Sequence, residues 1–157
     1  MQQGNNAIRE IQFPNEQFLP EVIKLLNEGH TTTIRLRGFS MRPFLEDNRD
    51  KALLAKPTTY NVGDPVLAEI SKGHFVLHRI IGIDKDNDIV TLRGDGNIAN
   101  ETCRQNDVKA TVIGFYRKGR DKIDLVTDKK WRTYSAIWTR LYPIRRYLLF
   151  IYRHVFL

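Results

Sequence analysis

Cysteine is nearly absent from these 157 residues: Cys103 stands alone. No intramolecular disulfide can form, and no zinc site can be built on paired cysteines. Long apolar runs are missing too. No window of about 18 apolar residues occurs, so no membrane span is expected, and the polar stretch 1–9 offers no apolar core for a signal peptide. Internal repeats and low-complexity linkers are also lacking. What remains is ordinary for a globular chain, with 41% hydrophobic and 27% charged residues, which excludes disordered and fibrous classes. A chain of roughly 150 residues can bury a core without staples. No cofactor and no metal site is expected.

Acidic residues are the scarcer charge. Eighteen Asp and Glu against 25 Lys and Arg give a formal net charge of +7, a balance that favours an anionic partner. The excess sits largely beyond Asp128, where Lys129, Lys130, Arg132, Arg140, Arg145, Arg146 and Arg153 fall. The body is therefore close to neutral, and no specific nucleic-acid partner is expected.

Residues 15–28 carry Phe18, Val22, Leu25 and Leu26 at helical spacing, with Gly29 suited to the stop. One short helix is predicted. Strands are predicted at 31–37, 51–55, 65–70, 75–83, 89–93 and 111–116, separated by turn-rich segments such as Asn61-Val62-Gly63-Asp64 and Asp86-Asn87-Asp88. The fold class is mainly β, a compact sandwich or half-open barrel with an N-terminal helix. Composition shifts near Asp128, so residues 1–128 are expected to form the main domain and 129–157 a basic, aromatic, helical tail.

Three residues attract chemical attention. Gly38-Phe39-Ser40-Met41-Arg42-Pro43 follows a strand and sets a serine in a turn that exposes backbone N–H groups, as nucleophiles and oxyanion holes are often built. A serine in a turn has conformational reasons as well. His78 interrupts the apolar run Phe75 to Ile81, where an imidazole must find a partner and can accept a serine proton near neutral pH. The plain alternative is a satisfied core histidine. Asp95, in Gly94-Asp95-Gly96-Asn97 after a strand, can orient an imidazole or simply make a turn. Cys103 and His30 have no companions and are read as structural.

Together these segments resemble the signal-peptidase and SOS-repressor superfamily of serine peptidases. Ser40-Met41-x-Pro43-x-Leu45 resembles its nucleophile box, Gly63-Asp64 before an apolar strand its second box, His78-Arg79-Ile80-Ile81-Gly82 its third, and Gly94-Asp95-Gly96-Asn97 its Gly-Asp box. The resemblance covers roughly residues 33–116. Histidine replaces the usual lysine base, as in the endoplasmic-reticulum and sporulation-type branch, which implies a catalytic set of Ser40, His78 and Asp95. It implies a signal-peptidase-like β domain, with Gly38, Phe39 and Met41 around the oxyanion and substrate. Gly38 lacks the hydroxyl often found two residues before the nucleophile, so backbone donors near Phe39 and Ser40 must serve. The implied substrate is an extended peptide or precursor protein, cut after small side chains.

The tail offers a second surface. Ile137, Leu141, Ile144, Leu148, Ile151 and Val155 fall on one helical stripe, with aromatics around it and Arg146 and Arg153 opposite. Such a segment can lie in a membrane interface or meet a partner protein, or it can pack on the body. Pro143 predicts two short helices rather than one. The expected location is the cytoplasm or, peripherally, the inner face of a membrane. Two other functions are weighed: a self-cleaving SOS-type regulator and a noncatalytic adaptor. Only 39 residues precede Ser40, and no Ala-Gly or Cys-Gly bond occurs, which argues against the regulator. Joint retention of Ser40, His78 and Asp95 argues against the adaptor.

Overall fold

The computed structural model of the chain describes residues 15–157, so the expectation of no signal sequence in residues 1–9 lies outside the described residues. Helix α1 (Asn15–Asn27) turns Leu19, Val22 and Leu26 inward at spacings of three and four. Its end is bonded twice. Gly29 N–H donates to Leu26 O at 3.0 Å and His30 N–H to Leu25 O at 3.1 Å, with Gly29 at φ +94° in the left-handed region that glycine tolerates.

Strands β1 (Thr32–Arg35), β2 (Lys51–Ala55), β3 (Pro65–Ser71), β4 (His74–Asp84), β5 (Ile89–Arg93), β6 (Glu101–Cys103), β7 (Val108–Tyr116) and β8 (Ile123–Leu125) form one antiparallel sheet. Its order is β1-β2-β7-β3-β4-β5-β6, with β8 also on β7. Register shifts at Leu53/Leu54, Leu67/Ala68, Glu69/Ser71 and Ile80/Gly82 bend the ladders, and the sheet curls into a half-barrel in which β6 comes back toward β3. The architecture is mainly β, as the sequence predicts. Strands β6 and β8 are additions to the prediction, each too short for a period-two pattern to register.

Strand β3 shows why the curled sheet has two cores. Val66, Leu67 and Ala68 are all buried, although successive side chains leave opposite faces of a strand. Leu67 joins Leu19, Val22, Leu26, Leu54 and Phe115, whereas Val66 and Ala68 join Ile80, Val90, Leu92 and Val108.

The tail forms α2 (Lys129–Arg140) and α3 (Arg145–Phe156), broken by a 3-10 turn at Tyr142–Ile144 that holds Pro143. Packing continues across the composition shift at Asp128. Trp131 lies against Phe44 and Phe115, with ring centroids 4.2 and 4.9 Å apart, so α2 shares the core beneath the sheet. The buried side of the tail is Trp131, Ser135, Trp138, Arg145 and Leu149. Ile137, Ile144, Ile151 and Val155 of the expected stripe face outward.

Candidate active site

Ser40 sits in the loop between β1 and β2, and buried Asp50 fixes that loop from beneath. The Asp50 carboxylate accepts the Glu46 amide at 2.9 Å, the Lys118 amide at 2.9 Å and Arg49 Nε at 2.8 Å. Burial alone would raise this carboxyl, but these bonds hold it below its ordinary value. Gly38, at φ +87°, donates its amide to Asp47 Oδ1 at 2.7 Å. The amides of Phe39, Ser40 and Met41 have no acceptor among the described residues. A loop with three uncommitted N–H groups around a serine can stabilise an oxyanion.

A second loop closes on the first. Gly96 N–H donates to Ser40 O at 2.7 Å, and Asp95 N–H meets Met41 Sδ at 3.4 Å. Glycine is required for this approach. A carbon added to Gly94 would lie 2.3 Å from Ser40 O and 3.1 Å from His78 Nε2, and one added to Gly96 would lie 2.7 Å from Phe39 O. The Gly94-Asp95-Gly96 segment is therefore the seat of the Ser40 loop, and His78 Nε2 lies by the same point as the Ser40 carbonyl oxygen.

His78 is 3% exposed on β4, and its Nδ1 lies 2.5 Å from Glu101 Oε2. Burial lowers the imidazole below its ordinary value, and the charge and hydrogen bond of Glu101 offset part of that fall. That balance favours the neutral ring. With Nδ1 against a carboxylate the proton belongs there, and Nε2 is the free acceptor. Ser40 Oγ is not hydrogen-bonded to the ring, a bond that in such sites commonly tightens only around substrate.

The carboxylate on the imidazole is thus Glu101 and not Asp95, which corrects the expected role of Asp95. Its two oxygens are held by Arg79 Nε at 2.8 Å and Nη2 at 2.7 Å, and Tyr134 Oη adds a 3.3 Å bond. Trp138 Nε1 donates to the Asp95 carbonyl at 2.9 Å, and Arg79 Nη1 reaches Ser135 Oγ at 2.6 Å and Gly63 O at 2.9 Å. Burial disfavours the Arg79 cation, yet Asp95 more than compensates and keeps it above its ordinary value. Asp95 anchors the seat beneath Ser40. The Gly63 segment and α2 are tied to the same ion pair.

Ser40 and His78 share a cleft of about 330 Å³, with Ile34, Leu36, Phe75 and Leu77 on its walls and Leu67 within. Glu101 and Asn97 line it; the sequence marked Asn97 only as the end of the Gly94–Asn97 box and Glu101 not at all. Phe39 is exposed under Arg42, whose guanidinium carbon is 4.1 Å from the ring centroid, and Met41 is buried. Strand β1 ends the sheet order, and β5 pairs with β4 only from Arg79 onward. Among the described residues no strand pairs with the outer side of 32–34 or of residues 74–78, and both stretches border the cleft. Cys103 is a poor nucleophile, since burial pushes its thiol up to about 11. Among the described residues no cluster of His, Cys, Asp or Glu is placed to hold a metal, and no helix is long and apolar enough to cross a membrane. No family model matches the chain, and no curated protein matches it in sequence.

Proposed function

We propose that this chain is a serine endopeptidase, signal-peptidase-like in its chemistry, that cuts extended peptide or precursor-protein segments. The observation that carries the reading is the placement of Ser40 and a carboxylate-held His78 on one cleft, bordered by strand stretches 32–34 and 74–78 that have no outer neighbour among the described residues. Such edges can take a peptide as an added strand, with main-chain bonds giving affinity and the walls giving selectivity.

Ser40 Oγ attacks the scissile carbonyl carbon while His78 Nε2 takes its proton, and the free amides of Phe39, Ser40 and Met41 receive the developing oxyanion. The C–N bond then breaks, and the proton passes from His78 to the leaving amine. Water, deprotonated by His78, releases the acyl group from Ser40. Glu101 holds the ring in its productive tautomer, the part first read for Asp95. We infer a working place in the cytoplasm or, peripherally, at the inner face of a membrane, supported by the basic tail.

Cleavage of a random peptide library by the wild type, Ser40→Ala and His78→Ala, from about pH 5.5 to 9.5, tests the reading. Each variant is expected to lose on the order of a thousandfold or more in rate, and wild-type activity to rise through an acid limb centred below the usual histidine value of about 6.5. A wild type that cuts nothing, or a fully active His78→Ala, would overturn it. Self-cleavage without cleavage of peptides would indicate the regulator instead.

A further inference from the structure

Helix α3 is anchored on one side and bare on the other. Arg145 and Leu149 are buried beneath it, and Arg145 Nη2 donates to Trp138 O at 2.9 Å. Tyr142, in the turn before it, donates its hydroxyl to Ile98 O at 3.0 Å while Arg93 stacks on its ring at 3.6 Å. These contacts fix which way the helix faces. Outward it presents Ile144, Tyr147, Phe150, Ile151 and Val155, from 47 to 66% exposed, followed by Phe156 and Leu157. Ile144, Tyr147, Ile151 and Val155 recur at spacings of three and four, so they form one face.

The charge beside that face has one sign. Residues 129–157 hold seven Lys and Arg and no Asp or Glu. Arg146 and Arg153, seven positions apart, lie along one flank of the apolar face, with the Arg146 guanidinium 5.2 Å from the Tyr147 ring centroid. Long arginine stems there can keep the charge at a polar boundary while the ring and aliphatic groups go deeper. A twelve-residue helix is roughly 18 Å long against a hydrocarbon core of about 30 Å, so it can lie along a bilayer and not across it.

We propose that the outward face of α3 docks onto an anionic phospholipid surface, with Tyr147, Phe150, Ile151 and Val155 among the acyl chains and Arg146 and Arg153 on the headgroup phosphates. The apolar face supplies burial, and the carboxylate-free flank selects a negative surface. This docking is independent of the peptidase reading, since lipid binding requires no active serine. The turn from Tyr142 to Ile98, next to the Gly94–Asn97 seat, would hold the cleft close to the lipid surface.

Co-sedimentation of the full chain with phosphatidylcholine vesicles, with and without phosphatidylglycerol, tests the docking. The wild type is expected to pellet with the mixed vesicles only, less so at high salt. The double variant Phe150→Glu/Ile151→Glu should lose binding by about tenfold or more, and so should Arg146→Glu/Arg153→Glu. All four positions are exposed, and an unchanged circular dichroism spectrum and thermal midpoint confirm that each variant folds. A Tyr147→Trp variant gives a second readout, a blue-shifted emission on mixed vesicles. Absence of binding to the mixed vesicles, equal binding by Phe150→Glu/Ile151→Glu, or a lipid-free dimer that this variant dissolves would each overturn the proposal.

Discussion

His78 and Arg79 are neighbours on β4, each faces a carboxylate, and the two pairs have opposite characters. Around Arg79 every guanidinium nitrogen has an acceptor: Asp95 takes Nε and Nη2, Gly63 and Ser135 take Nη1, and the pair is almost wholly buried. Around His78 one ring nitrogen is committed to Glu101, itself about a third exposed, and the other opens on the cleft beside Ser40. A buried charge pair whose nitrogens and oxygens are all bonded has little left to do but hold the chain. A buried neutral base with one free lone pair is ready to take a proton.

The sharpest break of this comparison is Asp95→Asn. It leaves the Arg79 cation buried and unpaired, at a cost of about 3–5 kcal/mol, so the thermal midpoint should drop by roughly 10 °C. An unchanged midpoint in a melting experiment would mean that the ion pair does not anchor the seat. Gly94→Ala is the next in size. Its new carbon would lie 2.3 Å from Ser40 O, so the Ser40 loop must shift, costing about 1–3 kcal/mol and, under the peptidase reading, most of the cleavage. Wild-type stability together with wild-type cleavage would show that the loop yields freely.

Glu101→Gln should move stability least, within about 1 kcal/mol, because the carboxylate is partly exposed. Its effect belongs to the chemistry. Turnover should fall on the order of a hundredfold, and since Glu101 raises the His78 value against burial, its loss should move the acid limb to still lower pH. An acid limb that stays in place, in the pH profile or in an NMR titration of His78, would return the orienting role to another group.

Why the sequence points to Ser40 and His78 but not to Glu101 follows from the sheet. A serine between glycine and proline after a strand, and a histidine in an apolar run, are local features. Glu101 reaches the ring through two successive antiparallel pairings, in which Leu92 stands opposite both Ile80 and Glu101. Ile80 is two residues from His78, on the same face of the strand by the period of two. A register carried through two ladders leaves no trace in a three-residue strand. Asp95 carried the clearer local signal, a glycine-flanked acid after a strand, which fits the seat of a loop as well as a triad. In the tail, Pro143 marked the break between helices and the aliphatic stripe marked a side that faces outward, whereas the inward side, made by Trp131, Trp138 and Arg145, follows no aliphatic spacing.

The strand edges at 32–34 and 74–78, which take no outer neighbour among the described residues, also bear, under the peptidase reading, on the state in which a substrate can be cut. A strand slipped between β1 and the first half of β4 must bring free N–H and C=O groups on both sides, whereas a helix or a hairpin arrives with those groups already bonded. Under the peptidase reading, the enzyme is therefore a clock as much as a blade. A precursor is open to cleavage during the interval before its segment folds or finds a partner, and folding closes that interval without any inhibitor.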